Sequence, residues 1–197
     1  NFCVGNPVRF VDPDGMYIEE NSLKEWKIQK NNIIRERDRL QNRINNLTTK
    51  ADAKGWSADK LANKIGNMQE RANSLNGTLA NLNKLEGSTQ GYSLSRTSIG
   101  ENGGITLNIN TNTIDIKFGS TANFVHETTH AGQFESGDIA FSNTGMCLFQ
   151  DVFDETAAYS AQFGYNPSSV SGLVSTSSAN SFNAITPTWV QGIIDAT

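Results

Sequence analysis

From Leu23 to Leu47 the apolar positions recur at heptad spacing: Trp26, Ile33, Leu40 and Leu47 lie seven apart, with Leu23 and Ile44 in the companion seam. That period predicts a long amphipathic helix. A second run, Leu61, Ile65, Met68, Ala72, Leu75, Leu79 and Leu82, alternates steps of four and three without a miss, the pattern of an a/d stripe. Gly55-Trp56-Ser57 supplies a helix stop and a Ser N-cap, so the two helices are expected to fold back as an antiparallel hairpin. Their outer faces carry many Asn, a mediocre helix former, which leaves the seam to supply most of the stability. Lys30 and Arg37 interrupt the first seam. A hairpin packed on its own domain is therefore expected in preference to a free-standing coiled coil, with a partner-binding helical arm as the alternative.

After Glu86 the period changes to two. Ile105, Leu107 and Ile109 alternate with polar residues, the chain turns near Asn110-Thr111-Asn112, and Ile114, Ile116 and Phe118 alternate again, which predicts a β-hairpin. Tyr92 and Leu94 offer a further strand before the turn signal Gly100-Glu101-Asn102-Gly103-Gly104. Gly119-Ser120-Thr121 ends the last strand and caps a helix expected from Ala122 to Phe134. Another helix is expected from Gln150 to Phe163, and Thr186-Pro187 starts a short last one through Ile194. The Ser-rich stretch from Ser168 to Ser181 reads as loop. Helices and strands in separate runs make an α+β chain.

The chain has 197 residues, enough for one domain or a compact domain with an appendage. The division expected is a linker at 1–18, the helical hairpin at 19–86 and a third unit at 87–197. Sixteen Lys and Arg face twenty Asp and Glu, a formal charge of −4. With no long block of Lys or Arg, that balance argues against nucleic acid or an anionic membrane as the main partner. No apolar run is long enough for a membrane span, and the opening lacks the pattern of a secretory signal. Cys3 and Cys147 are the only cysteines and no C-x-x-C occurs, so neither a disulfide framework nor a thiolate zinc finger is expected.

The residues that carry chemistry are His126-Glu127-Thr128-Thr129-His130, an H-E-x-x-H on the helix predicted from Ala122. Positions i and i+4 share a helix face, so both imidazoles can reach one metal ion while Glu127 sits beside it. These are the only two histidines, and random scatter would produce the motif roughly once in 2,000 sequences of this composition. A catalytic zinc takes three protein ligands and keeps a position open to water. With no third histidine, the third ligand must be a carboxylate. Glu155, in the helix Asp151-Val152-Phe153-Asp154-Glu155-Thr156-Ala157-Ala158-Tyr159, is the first choice, and Asp151 and Asp154 are the alternatives as ligands or as partners that orient an imidazole. Zinc would acidify a bound water and polarise a carbonyl while Glu127 moves the proton to the leaving nitrogen, which is amide hydrolysis. Tyr159 or Tyr165 could hydrogen-bond the oxyanion. The strand Ile114–Phe118, just before the helix, is the expected edge for pairing with an extended peptide.

Two segments resemble known ones. Asn6-Pro7-Val8-Arg9-Phe10-Val11-Asp12-Pro13-Asp14-Gly15 resembles the N-P-x-x-x-x-D-P-x-G signature that closes the Rhs/YD-repeat core of bacterial polymorphic toxins. Phe124 through Tyr165, in particular Gly137-Asp138-Ile139-Ala140-Phe141 and Asp154-Glu155-Thr156-Ala157-Ala158-Tyr159, resembles the H-E-x-x-H toxin domains that follow that signature. The resemblance implies a zincin-like metallopeptidase of the gluzincin type, with His126, His130 and Glu155 as zinc ligands and Glu127 as catalytic base. It implies a toxin secreted or delivered into a target cell as part of a larger bacterial protein. Its partners would be a protein or peptide substrate, the Rhs core of the parent chain and an immunity protein. Cys3, in a segment that precedes the enzyme as a pro-segment would, has a thiolate able to occupy the open zinc position. Two other functions fit the same residues: a non-catalytic module whose hairpin engages a partner around a structural metal, and a protease that processes its own precursor.

Overall fold

The structure, a computed structural model, describes residues 18–98, 101–149, 151–173 and 178–194. Cys3 and the signature from Asn6 to Gly15 lie outside the described residues. The two heptad runs form α1 (Glu20–Lys54) and α2 (Ala58–Glu86). Gly55 ends α1 in the left-handed region at φ 59°, a conformation that costs little without a Cβ. The Ser57 hydroxyl accepts from the Lys60 N–H at 3.3 Å and starts α2. The seam is closed by Trp26, Ile33, Leu40 and Ile44 against Ala72, Leu75, Leu79 and Leu82, all buried. Lys30, the interruption in that seam, is neutralised from the opposite helix. Its Nζ lies 2.7 Å from Glu86 Oε2, and the other carboxylate oxygen accepts from Trp26 Nε1 at 2.7 Å.

The period-two segments form β1 (Gly91–Arg96), β2 (Gly104–Asn108) and β3 (Thr113–Phe118), in sheet order β1-β3-β2. The expected hairpin is present, with Gly104 opposite Lys117 and Asn108 opposite Thr113. Ile109 is not part of it: this side chain stands in the turn at 56% exposure. Ile114–Phe118 is not an edge either. The segment containing Tyr92 and Leu94 pairs with it in parallel, Gly91 opposite Thr113 and Arg96 opposite Phe118, so both hydrogen-bonding sides of β3 are occupied. Parallel pairing joins strands far apart in the chain and leaves no local turn signal. β2 is the edge strand on the H-E-x-x-H side of the sheet, and Leu107 N donates to Gly145 O across its outer side at 2.9 Å.

The remaining elements are α3 (Thr121–Ser136), the two-residue pair β4 (Ala140–Phe141) and β5 (Cys147–Leu148), α4 (Val152–Tyr165) and α5 (Pro187–Ile194). The protein is thus α+β, with five helices and a small mixed sheet among the described residues. One core runs through hairpin, sheet and α3: Trp26, Leu75, Leu82, Tyr92, Ile114, Phe118 and Phe124 belong to it. Phe124 is held edge-to-face by Trp26 at 5.5 Å and Phe118 at 5.1 Å between ring centroids, a geometry aromatic rings favour. A smaller cluster around Phe163, Val170, Trp189 and Val190 seats α5 against α4. Among the described residues no helix is long and apolar enough to cross a membrane.

Candidate metal centre

The position of α3 follows from its ends and its two faces. Ser120 caps it, accepting from Asn123 N at 3.1 Å, and Gly137 ends it at φ 82°. Phe124, Val125 and Ala131 bury one face in the main core. At 100° per residue the opposite face then carries Asn123, His126, Glu127, His130 and Gln133. α4 packs across that face and brings Glu155 to the two histidines.

His126 Nε2 and His130 Nε2 lie 3.2 Å apart, and Glu155 Oε2 and Oε1 lie 3.3 and 3.6 Å from them. Metal–ligand bonds of about 2.0–2.1 Å at tetrahedral angles space ligand atoms about 3.3 Å apart. The two imidazole nitrogens stand at that spacing, each meets one oxygen of the Glu155 carboxylate, and ligand atoms taken one from each of the three residues lie within 4.8 Å of one another, so the group can hold a metal ion. Its protonation states suit that task. Gln133 Nε2 donates to the Asp154 carbonyl at 3.0 Å, so its Oε1 is the atom that meets His130 Nδ1 at 2.7 Å. That network puts the His130 proton on Nδ1 and the lone pair of Nε2 toward the cluster. Burial, and then the charge of His126, draw His130 down to about 4, so it is neutral at pH 7. Glu155 is held below the usual carboxylate range by the two histidines, which outweigh its burial. His126 Nδ1 is buried without a hydrogen-bond partner; its ring is held instead by packing against Tyr159, centroids 4.5 Å apart.

Glu127 is not part of the three-donor group. Its Oε1 accepts from Asn123 Nδ2 at 2.8 Å, and the Asn123 amide is itself anchored by Gly119 N, which donates to Oδ1 at 2.9 Å. Burial pushes Glu127 up to about 7, against the pull of His126 and the Asn123 hydrogen bond. The backbone of Gly103 crosses directly over this pair: a Cβ there would stand 2.5 Å from Glu127 Oε1 and from Asn123 Oδ1.

Asp151 and Asp154 do not join the group. They form a capping box at the start of α4: the Asp151 carboxylate accepts from Phe153 N at 2.7 Å, and Asp154 Oδ2 accepts from Asp151 N at 3.3 Å. Orphan N–H groups at a helix start attract short acidic side chains. Tyr159 does reach the centre, between His126 and Trp189, and burial with the charges of Glu155 and Glu127 pushes its phenol up to about 12. Tyr165 lies ten residues beyond Glu155 on α4, about 15 Å along the axis, and packs on the main core. Asn123, Gln133 and Gly103 escaped the sequence reading. The first two sit three residues from His126 and His130 on the same helix face, a signal that was there to be used. In the sequence Gly103 signals only a turn.

One exposed apolar side chain, Phe149, borders the centre. Among the described residues the exposed large hydrophobics are seven, and Met146, Leu148, Phe149 and Phe153 are four of them. The Phe149 ring stacks 4.8 Å from that of His130. No protein-family model matches this sequence, and no curated protein and no solved structure matches it at a significant level.

Proposed function

We propose that this chain is a zinc-dependent metallopeptidase with a zincin-like, gluzincin-type centre, acting as the toxin domain of an Rhs-type bacterial polymorphic toxin. The observation that carries the reading is one buried carboxylate, Glu127, standing beside two histidines and a second carboxylate whose donor atoms are spaced for a single metal ion. Two imidazoles and one carboxylate are a donor set that suits zinc and leave a coordination position for water and substrate. Zinc there supplies an acidified water and a polarised carbonyl. Glu127, poised near neutrality by burial, takes a proton from the attacking water and delivers it to the amide nitrogen as the C–N bond breaks. Asn123 fixes the carboxylate for both transfers. Tyr159, which stays protonated through the physiological range, donates a hydrogen bond to the oxyanion. The exposed Phe149 ring beside His130 favours a peptide with a bulky apolar side chain near the scissile bond, since exposed apolar surface at a site marks binding. The toxin role, the delivery as part of a larger protein and an immunity partner rest on the resemblance of residues 6–15 and 124–165.

Metal analysis and casein cleavage on the parent, His126→Ala and Glu127→Ala proteins test the reading. About one zinc per chain is expected in the parent, lost in His126→Ala and kept without activity in Glu127→Ala. A parent that binds no metal, or cleavage that persists in both variants, would refute it.

A further inference from the structure

The formal charge of −4 averages two regions of opposite sign. Residues 20–86, the helical hairpin, hold 13 Lys and Arg against 8 Asp and Glu, a net +5, while the rest of the chain holds 3 against 12, a net −9. The basic excess is also concentrated on one side of the hairpin. At 100° per residue, Arg35, Arg39, Arg43, Lys50 and Lys54 fall within an arc of about 100° on α1, beside the buried seam. Lys60 and Lys64 share a face of α2 with Arg71, which lies eleven and seven residues on. An observed contact shows that these two faces look the same way: Arg71 Nη2 reaches Glu36 Oε1 at 2.8 Å, and Arg39 grips the same carboxylate at 2.7 Å. Glu36 is thus neutralised twice over. Arg35, Arg43, Lys50, Lys54, Lys60 and Lys64 are exposed. The other acids of the distal part, Asp38, Asp52, Asp59 and Glu70, lie on other faces at the same angular step.

The side-chain hydrogen bonds of residues 41–70 stay inside the hairpin. The arm presents a row of cations about 28 Å long from Arg35 to Lys54, with the exposed amides of Asn42 and Asn46 between them. Cations one helical turn apart stand about 6 Å apart along the axis. Among the described residues no large hydrophobic is exposed between residues 29 and 98. An interface with protein needs a buried aromatic or aliphatic anchor, and a helix lying in a membrane needs an apolar face; this surface has neither. Aromatic platforms for single-stranded bases are missing too, because Trp56, at the tip, lies under Lys60 at 4.8 Å and Lys64 at 5.7 Å. A polyanion that needs only regularly spaced positive charge and polar donors is what remains.

We infer that the basic side of the α1–α2 arm docks on the phosphate backbone of a nucleic-acid duplex, independently of base sequence. The metal centre takes no part in this binding, so the test is separable from the catalytic reading. Fluorescence anisotropy with a labelled 24-base-pair DNA duplex, at 50 and 200 mM salt, measures it on the full chain carrying Glu127→Ala and on the parent alike. With about five phosphates contacted, log affinity should fall with log salt at a slope of about −4 to −5, several hundred-fold between the two conditions. The pair Lys50→Glu with Lys54→Glu should weaken binding at 50 mM salt tenfold or more and flatten the slope. The pair Lys27→Glu with Arg37→Glu changes net charge equally on other faces and should alter affinity less than threefold, with circular dichroism showing both pairs folded. A duplex RNA should bind within a few-fold of the DNA, since the contacts are to phosphate. Absence of saturable binding at 50 mM salt, equal losses from the two pairs, or tighter binding to phosphatidylserine vesicles, polyglutamate or single-stranded DNA than to the duplex would overturn the inference.

Discussion

The hairpin and the α3–α4 pair are both built from amphipathic helices, yet they spend their polar residues in opposite ways. In α1 and α2 the fully buried polar side chains are Ser22, Gln29 and Thr78, none of them ionisable, and the charges stand at the surface or in the half-buried pairs Lys30–Glu86 and Arg71–Glu36. The buried carboxyl and imidazole side chains among the described residues all lie on α3 or α4: His126, Glu127, His130 and Asp154. Asp154 caps its helix, but His126, Glu127 and His130 have no such role; burying a charge without full compensation opposes folding, so a region that buries these three is kept for something other than stability. The hairpin obeys the rules that stabilise a helix pair; α3 and α4 break them at one spot, and that spot is the candidate metal centre.

The sharpest way to break the comparison is to damage the region that carries stability. Leu75 is fully buried in the seam, facing α1. Leu75→Ala should cost about 2–5 kcal/mol in urea unfolding while metal affinity, measured well below the midpoint, stays within a few-fold. A comparable loss of affinity without loss of stability would mean that the hairpin and the centre are not separable in this way.

A second test acts on the buried titratable groups, in metal-free protein. Glu127 has a folded pKa near 7, above its ordinary 4.5, so the native state holds the extra proton and stability falls as pH rises from 4.5 to 7. His130 runs the other way. Its folded pKa near 4 lies below the ordinary 6.5, so the unfolded state holds the extra proton and stability is lost as pH falls from 6.5 to 4. Between pH 4.5 and 6.5 the two slopes oppose each other and this pair leaves stability flat. Glu127→Gln should expose the histidine alone: stability should climb with pH from 4 to 6.5 by on the order of 3 kcal/mol. A variant as flat as the parent over that window would show that His130 is not buried in its neutral form.

The smallest expected effect sharpens the line between ligand and support. The Gln133 side chain hydrogen-bonds to Nδ1 of His130 and to the Asp154 carbonyl. Gln133→Ala should leave the fold intact and weaken metal affinity 10–100-fold, the usual range when the group that orients a ligating histidine is removed. Competition titration against a chelator reads this directly, and unchanged affinity would place the control of His130 elsewhere.

Much of the architecture was legible along the chain, for reasons that differ from element to element. The four-three stripe from Leu61 to Leu82 and the seam through Trp26 and Leu40 are local periodicities with one satisfactory partner, each other. The alternation at Ile114, Ile116 and Phe118 announced a strand, but not its neighbours: its parallel partner Gly91–Arg96 lies about twenty residues earlier, with β2 between them in the chain. Ile109 kept the alternation and still fell in the turn, because Asn108, whose side chain accepts from Asn110 N at 3.1 Å, starts the turn before it. Asp151 and Asp154 were candidate ligands by residue type alone. Their spacing of three before an apolar run was equally a capping signal, and the cap is what they form.

What the sequence determined by itself is whatever a single helical or extended period can encode: the hairpin, the strands, the face shared by His126 and His130, and the presence of Glu127 beside them. Which carboxylate would complete the group was decided only by tertiary structure. Glu155 stands 25 residues after His130, and its approach depends on how α4 crosses α3. The same holds for the two basic stripes, which become one surface only because α1 and α2 lie antiparallel with Arg71 opposite Glu36. Backbone period and hydrogen-bond rules act over a few residues. Contacts across long chain separations are selected by the burial of the whole core, and no short stretch of sequence contains that sum.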